Sequence, residues 1–401
     1  MSSKLLNNGT LHILLAITCG FVLGLVRPEL AVSMRPLSDY FIRVVGLLMP
    51  FIMFVLVCSG VAGIQRQEKR SRLVGKIVIY FQLMSVISLL LGMATLILFE
   101  AGQDVSLPVS QLHHAALDIS MASMGATIIG AFHNLVLQVM VVALICGLLI
   151  GRSDGVGQRL HHRLEQVRVM LFRVLHVILK FAPLAAFGAM AFTVGKYGMV
   201  SVMPLIKFVA VIYLACAVFI LVVMAGVARL VGEKLLSIVL YVKEELLLVA
   251  FTGSSVAAIP GLVGKLEQLG CDRKLVHLIL TTGYTFNLSG SSIYLTTAIM
   301  FMANMSGVDL TGLQLASVLL ICMLTSLGST SVAGSAFFTL IATLTVLQAI
   351  PLEGVGLLLG VERLMKCRSL TNVLGNCVAC IAICRWHGAV DRVVLRQQLA
   401  R

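Results

Sequence analysis

The sequence predicts an all-α polytopic membrane protein with eight transmembrane helices and two re-entrant helical hairpins, organised as inverted repeats. Three observations carry that expectation. Of 401 residues, 59% are hydrophobic and only 12% are charged, and apolar runs of ~20 residues recur along the chain, each long enough to cross a hydrocarbon core. Basic residues gather in alternate connecting segments. Two further apolar segments have flanks of the same kind at both ends, so they must turn back. Long unalternating runs rich in Leu, Val, Ile, Met and Gly exclude the short alternating strands of a membrane β-barrel.

The crossings fall near residues 11–26, 44–64, 77–99, 124–151, 170–194, 204–228, 276–303 and 357–384. The first, LHILLAITCGFVLGLV, lacks a small-x-small cleavage site and is followed by further crossings, so it is read as a retained span. The second and third flank QRQEKRSR, where Arg66, Lys69, Arg70, Arg72 and Lys76 cluster. A loop over 152–174 carries Arg152, Arg159, Arg163, Arg168 and Arg173, and more basic residues follow residue 228 and at the C-terminus. Residues 100–135, 302–318 and 345–356 contain no Lys or Arg. This alternation is the positive-inside pattern, with Arg27, Arg35 and Arg43 as exceptions. It places both termini in the cytoplasm. The net charge of +13 then belongs to solvated cytoplasmic segments attracted to anionic lipid, with no nucleic acid as partner.

The turning segments are 246–264, LLLVAFTGSSVAAIPGLVG, and 315–348, which runs through TSLGSTSVAGSA. Their Ser/Gly-rich centres break a helix, and broken backbone is tolerated at membrane depth only where protein or a polar cavity surrounds it. One such cluster alone indicates close helix packing. Two, each followed by a span with polar interruptions, indicate a transporter with a midplane binding site. The ten cysteines lie mostly inside apolar runs, which is no disulfide framework. Cys377, Cys380 and Cys384 share one helical face and are read as small buried thiols, not as a metal site.

From Val276 to Ala303 there is no Lys, Arg, Asp or Glu, yet TFNLSGSSIY interrupts the run at its centre. Asn287, Ser289 and Ser291 offer hard oxygen donors suited to Na⁺ or to proton-linked hydrogen bonding. Without a carboxylate, a multivalent metal has no place there. In VERLMKCRSLTNVLGN, Arg368, Asn372 and Asn376 are spaced by four and share one helical face. A guanidinium at membrane depth faces a cavity or a partner, and its planar fork suits a carboxylate. Arg368 is thus an anionic-substrate anchor or, in the alternative, a structural partner of Glu362 or a snorkelling side chain. An intramembrane serine hydrolase using Ser289 or Ser291 needs a general base, and the nearest His in sequence, His277, lies several turns away. No enzyme is expected.

LTTGYTFNLSGSSIYLT resembles the seventh-span motif of the dicarboxylate/amino acid:cation symporters, most closely the bacterial C4-dicarboxylate transport proteins. The resemblance continues in order through KEELLLVAFTGSSVAAIP, TSLGSTSVAGSAFFTLIATL and LLGVERLMKCRSLTNVLGN, with weaker similarity in LMPFIMFVLVCSGVAGI and KIVIYFQLMSVISLL. It implies a glutamate-transporter-like elevator fold and a homotrimer in a bacterial inner membrane. Residues 1–75 would hold scaffold spans 1 and 2. Residues 76–151 would hold span 3 (transport) and span 4 (scaffold), and residues 152–228 span 5 (scaffold) and span 6 (transport). Residues 229–401 would form the transport core.

By the same resemblance, Ser254, Ser255, Ser291, Val332, Gly334, Arg368, Ser369 and Asn372 would surround substrate, with Arg368 on the distal carboxylate. Ser85, Gly283, Thr285, Asn287, Ser289, Asn372 and Asn376 fall at cation-site positions. The implied activity is symport of succinate, fumarate or malate driven by Na⁺ or H⁺, with no other cofactor. An aspartate, glutamate or neutral amino acid symporter is the alternative, and a non-transporting sensor a remote one. Four positions depart from the family pattern. Ser289 replaces an Asp, and Val256 replaces a Glu after the Ser pair of the first hairpin. Glu362 sits six rather than seven residues before Arg368, and Met365 stands where amino acid carriers place an Asp.

Overall fold

A computed structural model describes residues 9–67, 72–102, 135–199, 202–326, 335–347, 350, 355–362 and 364–400. Among them the chain is all-helical apart from one isolated antiparallel bridge between Cys271 and Val390. Helix α1 (Gly9–Val26) leads through the short α2 (Pro28–Val32) to the long α3 (Arg35–Gln67). Then follow α4 (Arg72–Phe99), α5 (Leu135–Arg152), α6 (Val156–Leu179) and α7 (Ala182–Tyr197). Helix α8 (Val202–Leu230) carries a π-helical stretch at Phe219–Met224, and α9 (Leu235–Tyr241) follows it.

Two expectations change here. The basic segment 152–174 is not a loop, because α6 is helical through it; its charges alternate with apolar residues at helical spacing. The crossing near 170–194 is not one helix. It breaks at Lys180–Phe181, just ahead of Pro183, which lacks an N–H and disfavours helix before it. Three helices among the described residues are long and apolar enough to cross a membrane: Gly75–Phe99, Val202–Leu230 and Cys367–Trp386. Large apolar side chains such as Leu47, Phe51, Leu98, Leu221 and Val222 point outward, as lipid-facing surfaces require.

The segment 246–264 is broken at its Ser/Gly-rich centre. Helix α10 (Lys243–Thr252) ends at Gly253, whose φ of +69° suits glycine, and α11 (Ile259–Gln268) returns after a 3₁₀ turn at Ser255–Ala258. The two arms are tied at their open end, where Lys265 Nζ reaches Glu244 at 3.0 Å and Glu245 at 2.8 Å. Helix α12 (Arg273–Phe286), capped by Asp272, and α13 (Ser289–Met305) divide the span 276–303 at Asn287 and Leu288. Helices α14 (Gly312–Ser326) and α15 (Ser335–Leu347) make the second pair, joined by a 2.8 Å bond between the Thr325 and Thr343 hydroxyls. The last crossing divides into α16 (Val355–Glu362) and α17 (Cys367–Trp386), and α18 (Arg392–Leu399) ends the described chain.

Packing sorts these helices. Helices α1, α2, α3, α5, α6 and α7 pack on one another, whereas α13 is buried almost throughout and gathers α4, α8, α14, α15 and α17 around it. Contacts of α12 and α15 with α3, and of α16 with α7, join the two groups. Small residues permit the tightest approach. Gly20 and Gly24 of α1 lie so close to α7 that a Cβ would sit 2.5 Å from the Phe187 carbonyl or 2.6 Å from Val194 Cβ. Such small-xxx-small spacing is how membrane helices make van der Waals contact without a hydrophobic driving force. Gly24→Leu should therefore lower the thermal unfolding midpoint in detergent, by an overpacking penalty of ~1–3 kcal/mol. Gly226→Ala, which meets nothing within 4 Å, should leave it unchanged or higher.

Candidate functional site

Three interrupted elements converge on the first half of α17. Helix α16 stops at Glu362, the chain tightens through Leu364–Lys366 with Met365 N bonded to Glu362 O at 3.2 Å, and the helix restarts at Cys367. This break takes up the odd spacing of Glu362. Its carboxylate turns back onto Arg368 and forms an ion pair through Nη2, with both residues buried at 4% and 8% exposure. The pairing alternative for Arg368 is thus present in the structure. It does not exhaust the guanidinium. Nε donates to Met365 O at 3.1 Å, the group lies 4.3 Å from the centroid of the Tyr294 ring, and Nη1 is buried with no partner among the described residues. A buried charged donor without an acceptor is costly.

Asn372, one turn further, holds the start of α13. Its Oδ1 accepts from Gly290 N at 2.8 Å and Ser291 N at 3.4 Å, and its Nδ2 donates to Ser291 Oγ at 3.1 Å. These are the N–H groups that a helix start leaves unpaired. Gly290 is needed for this approach, since a Cβ there would land on the Arg368 carbonyl. The tip of the first hairpin meets the same helix. Ser255 Oγ donates to Ser369 O at 3.2 Å, Ser369 Oγ donates to Gly253 O at 2.9 Å, and Lys366 Nζ reaches Phe251 O at 3.1 Å. Ser254 is half-buried beside them. Val332 and Gly334, expected at the second hairpin tip, lie outside the described residues.

The amide pair Asn287–Asn376 sits one turn beyond Asn372. Asn287 Nδ2 donates to Asn376 Oδ1 at 2.9 Å, while Asn287 Oδ1 and Asn376 Nδ2 are buried without partners. Gly283 lies against Asn376 on one side and Phe81 of α4 on the other. Ser85 is buried on the α4 face marked by Phe81 and by Leu89, whose carbonyl accepts from Thr296 at 2.9 Å. No bond from the Ser85 side chain to the pair is found among the described residues. Ser289 is buried at the start of α13. Thr285 turns its methyl towards Gly60 of α3, 3.3 Å from where a Cβ would stand, and so faces the other helix group. A neutral oxygen acceptor, orphaned and buried, suits a monovalent hard cation better than a divalent one.

Two participants were not singled out from sequence. Tyr294 lies one turn after Ser291, and its ring faces Arg368 while its buried hydroxyl has no partner. Its place on the face of Gly290 was the available signal. Cys271 joins Cys380 and Cys384 at the far end of α17, which only the packing of α12 reveals.

Comparison with known proteins places this arrangement. Residues 10–386 match the sodium:dicarboxylate symporter family. The chain is 39% identical over 404 residues to a C4-dicarboxylate transport protein of Burkholderia pseudomallei (strain 668), covering 97% of this chain and 94% of the relative. It has the same identity and coverage to a C4-dicarboxylate transport protein of Burkholderia mallei (strain ATCC 23344). Broken helices meeting at mid-length, a buried guanidinium with a free donor and a match over nearly the whole chain lead to one conclusion: this chain belongs to the sodium:dicarboxylate symporter family and is a transporter, not an enzyme.

Proposed function

We propose that the chain is a secondary active symporter for C4-dicarboxylates such as succinate, fumarate or malate, driven by a sodium or proton gradient across a bacterial inner membrane. The observation that carries this reading is Arg368 Nη1, a charged donor buried without a partner where two helix breaks and a hairpin tip converge. Glu362 holds one side of the guanidinium, and a substrate carboxylate would complete the other. Ser291, Ser255 and Ser369 supply hydroxyls nearby, and the start of α13 offers a favourable dipole for the anion. The relatives' names support the same substrate class.

Eight crossings and two hairpins, with both termini cytoplasmic, remain the topology that fits the charge pattern. The helices around α13 and α17 would form the moving transport core, and α1–α3 with α5–α7 the fixed scaffold of a homotrimer. The small-residue contacts within each group and the fewer links between them support that division. The orphaned Asn287 Oδ1 is the natural ligand for the coupling cation. Because Ser289 supplies no carboxylate, this cation site is neutral and weak, so coupling to Na⁺ should have a low apparent affinity.

Uptake of succinate and of aspartate into proteoliposomes, each with a separate sodium or proton gradient, tests the proposal directly. Succinate should accumulate and aspartate should not compete; failure of every dicarboxylate under both gradients would overturn it. Arg368→Ala should abolish uptake, and Arg368→Lys should recover little of it, because a point charge cannot replace a fork bound to two carboxylates. Glu362→Gln should lower stability by ~3–5 kcal/mol, since it leaves the buried guanidinium uncompensated. That loss should appear as a lower unfolding midpoint, and saturating succinate should partly restore it. Ser289→Asp should make the unfolding midpoint rise with sodium concentration, whereas the native protein should respond less.

A further inference from the structure

The thiols at the far end of α17 form a group that the dicarboxylate site does not use. Cys380 and Cys384 continue, at steps of four, the helical face that carries Asn376. Cys271, in the turn before α12, reaches them, so that three buried Sγ atoms lie within 4.8 Å of one another. Cys377, expected beside Cys380 and Cys384, is not in the group; Cys271 takes its place.

The turn bearing Cys271 is held in position independently of the thiols. Asp272 N donates to Ala389 O at 3.0 Å and Asp391 N to Gly270 O at 3.0 Å, pairing the two turns across the Cys271–Val390 bridge. The Asp272 carboxylate is already engaged, accepting from Lys274 N and Leu275 N at 3.0 and 3.1 Å. The donors facing one another are therefore three sulfurs.

We propose that Cys271, Cys380 and Cys384 form a binding site for one soft d¹⁰ metal ion through three thiolates. An ion about 2.3 Å from each of three sulfurs sets them about 4 Å apart in a plane, within the observed spacing. Sulfur-only coordination selects thiophilic ions and rejects Na⁺, Mg²⁺ and Ca²⁺, so the site is chemically distinct from the Asn287–Asn376 pair. Binding exchanges three thiol protons for the ion and needs no oxidant or reductant. The ion would tie the start of α12 to the end of α17, the two helices that carry Asn287 and Asn376, and so stiffen the core around the amide pair.

Cadmium(II) is the probe. The purified full-length protein in detergent, with thiols reduced, is given one equivalent of cadmium, desalted and analysed for metal by mass spectrometry and for thiolate-to-metal absorption in the ultraviolet. The expected result is one cadmium per chain, with affinity falling as pH falls because protons compete for the sulfurs. Cys271→Ala, Cys380→Ala and Cys384→Ala should each weaken binding at least tenfold, while Cys58→Ala and Cys322→Ala bind as the native protein does. The corresponding serine variants replace any alanine variant that does not elute as a folded protein. Substoichiometric binding by the native chain, or undiminished binding by the Cys380 variants, overturns the proposal. Equal loss in the Cys322 control does so too.

Discussion

A helix that ends inside an apolar interior leaves terminal N–H and C=O groups with no water to bond, and the side chains of α17 meet that demand. Asn372 accepts from the first N–H groups of α13 and Ser369 donates to the hairpin-tip carbonyl of Gly253, while Asn376 accepts from the side-chain amide of Asn287 at the end of α12. One regular helix thus braces two interruptions, the α12–α13 break and the hairpin tip. The steps of four along α17 make this possible, because they put Arg368, Asn372 and Asn376 on a single face that points at the breaks. Substituting Asn372 with an apolar residue removes the described side-chain partner of the first N–H groups of α13.

The same face carries a buried charge. Removing the Arg368 charge from water is expensive, and the compensation is incomplete: Glu362, the Met365 carbonyl and the Tyr294 ring hold part of the guanidinium, leaving Nη1 unsatisfied. A fully neutralised arginine would be a structural element. A partly neutralised one leaves a buried donor beside a buried tyrosine hydroxyl, with the cost of desolvation already met by the fold.

Around this centre, packing follows the rules of helices in lipid. Gly20 and Gly24 let α1 lie against α7, and the Arg368 backbone lies on Gly290. Helix α13, buried on nearly every face, is the core helix, and helices around it turn bulky side chains outward. The two packed groups meet through α12, α15 and α16, which include the segments next to the breaks.

Much of this was legible in the chain because membrane solvation leaves strong local marks. Apolar length marks the helices, Gly-Ser runs mark the turn at Gly253, and Asn287 marks the division of α12 from α13. Charge inside an apolar run marked Arg368. What stayed hidden was non-local or depended on backbone detail. Pro183 broke a continuous apolar run that hydropathy alone joined, and helical spacing could not anticipate that a break before Cys367 would bring Glu362 onto Arg368. Nor could it show that Cys271 would replace Cys377 beside Cys380 and Cys384. The sequence by itself determined most of the apolar helical segments, the interruptions at Gly253 and Asn287 and the polar residues available there, because each follows from solvation and spacing within one segment. Only the tertiary structure decided which of those residues pair and which are left with an open valence, because that depends on how separate helices rotate and pack against one another.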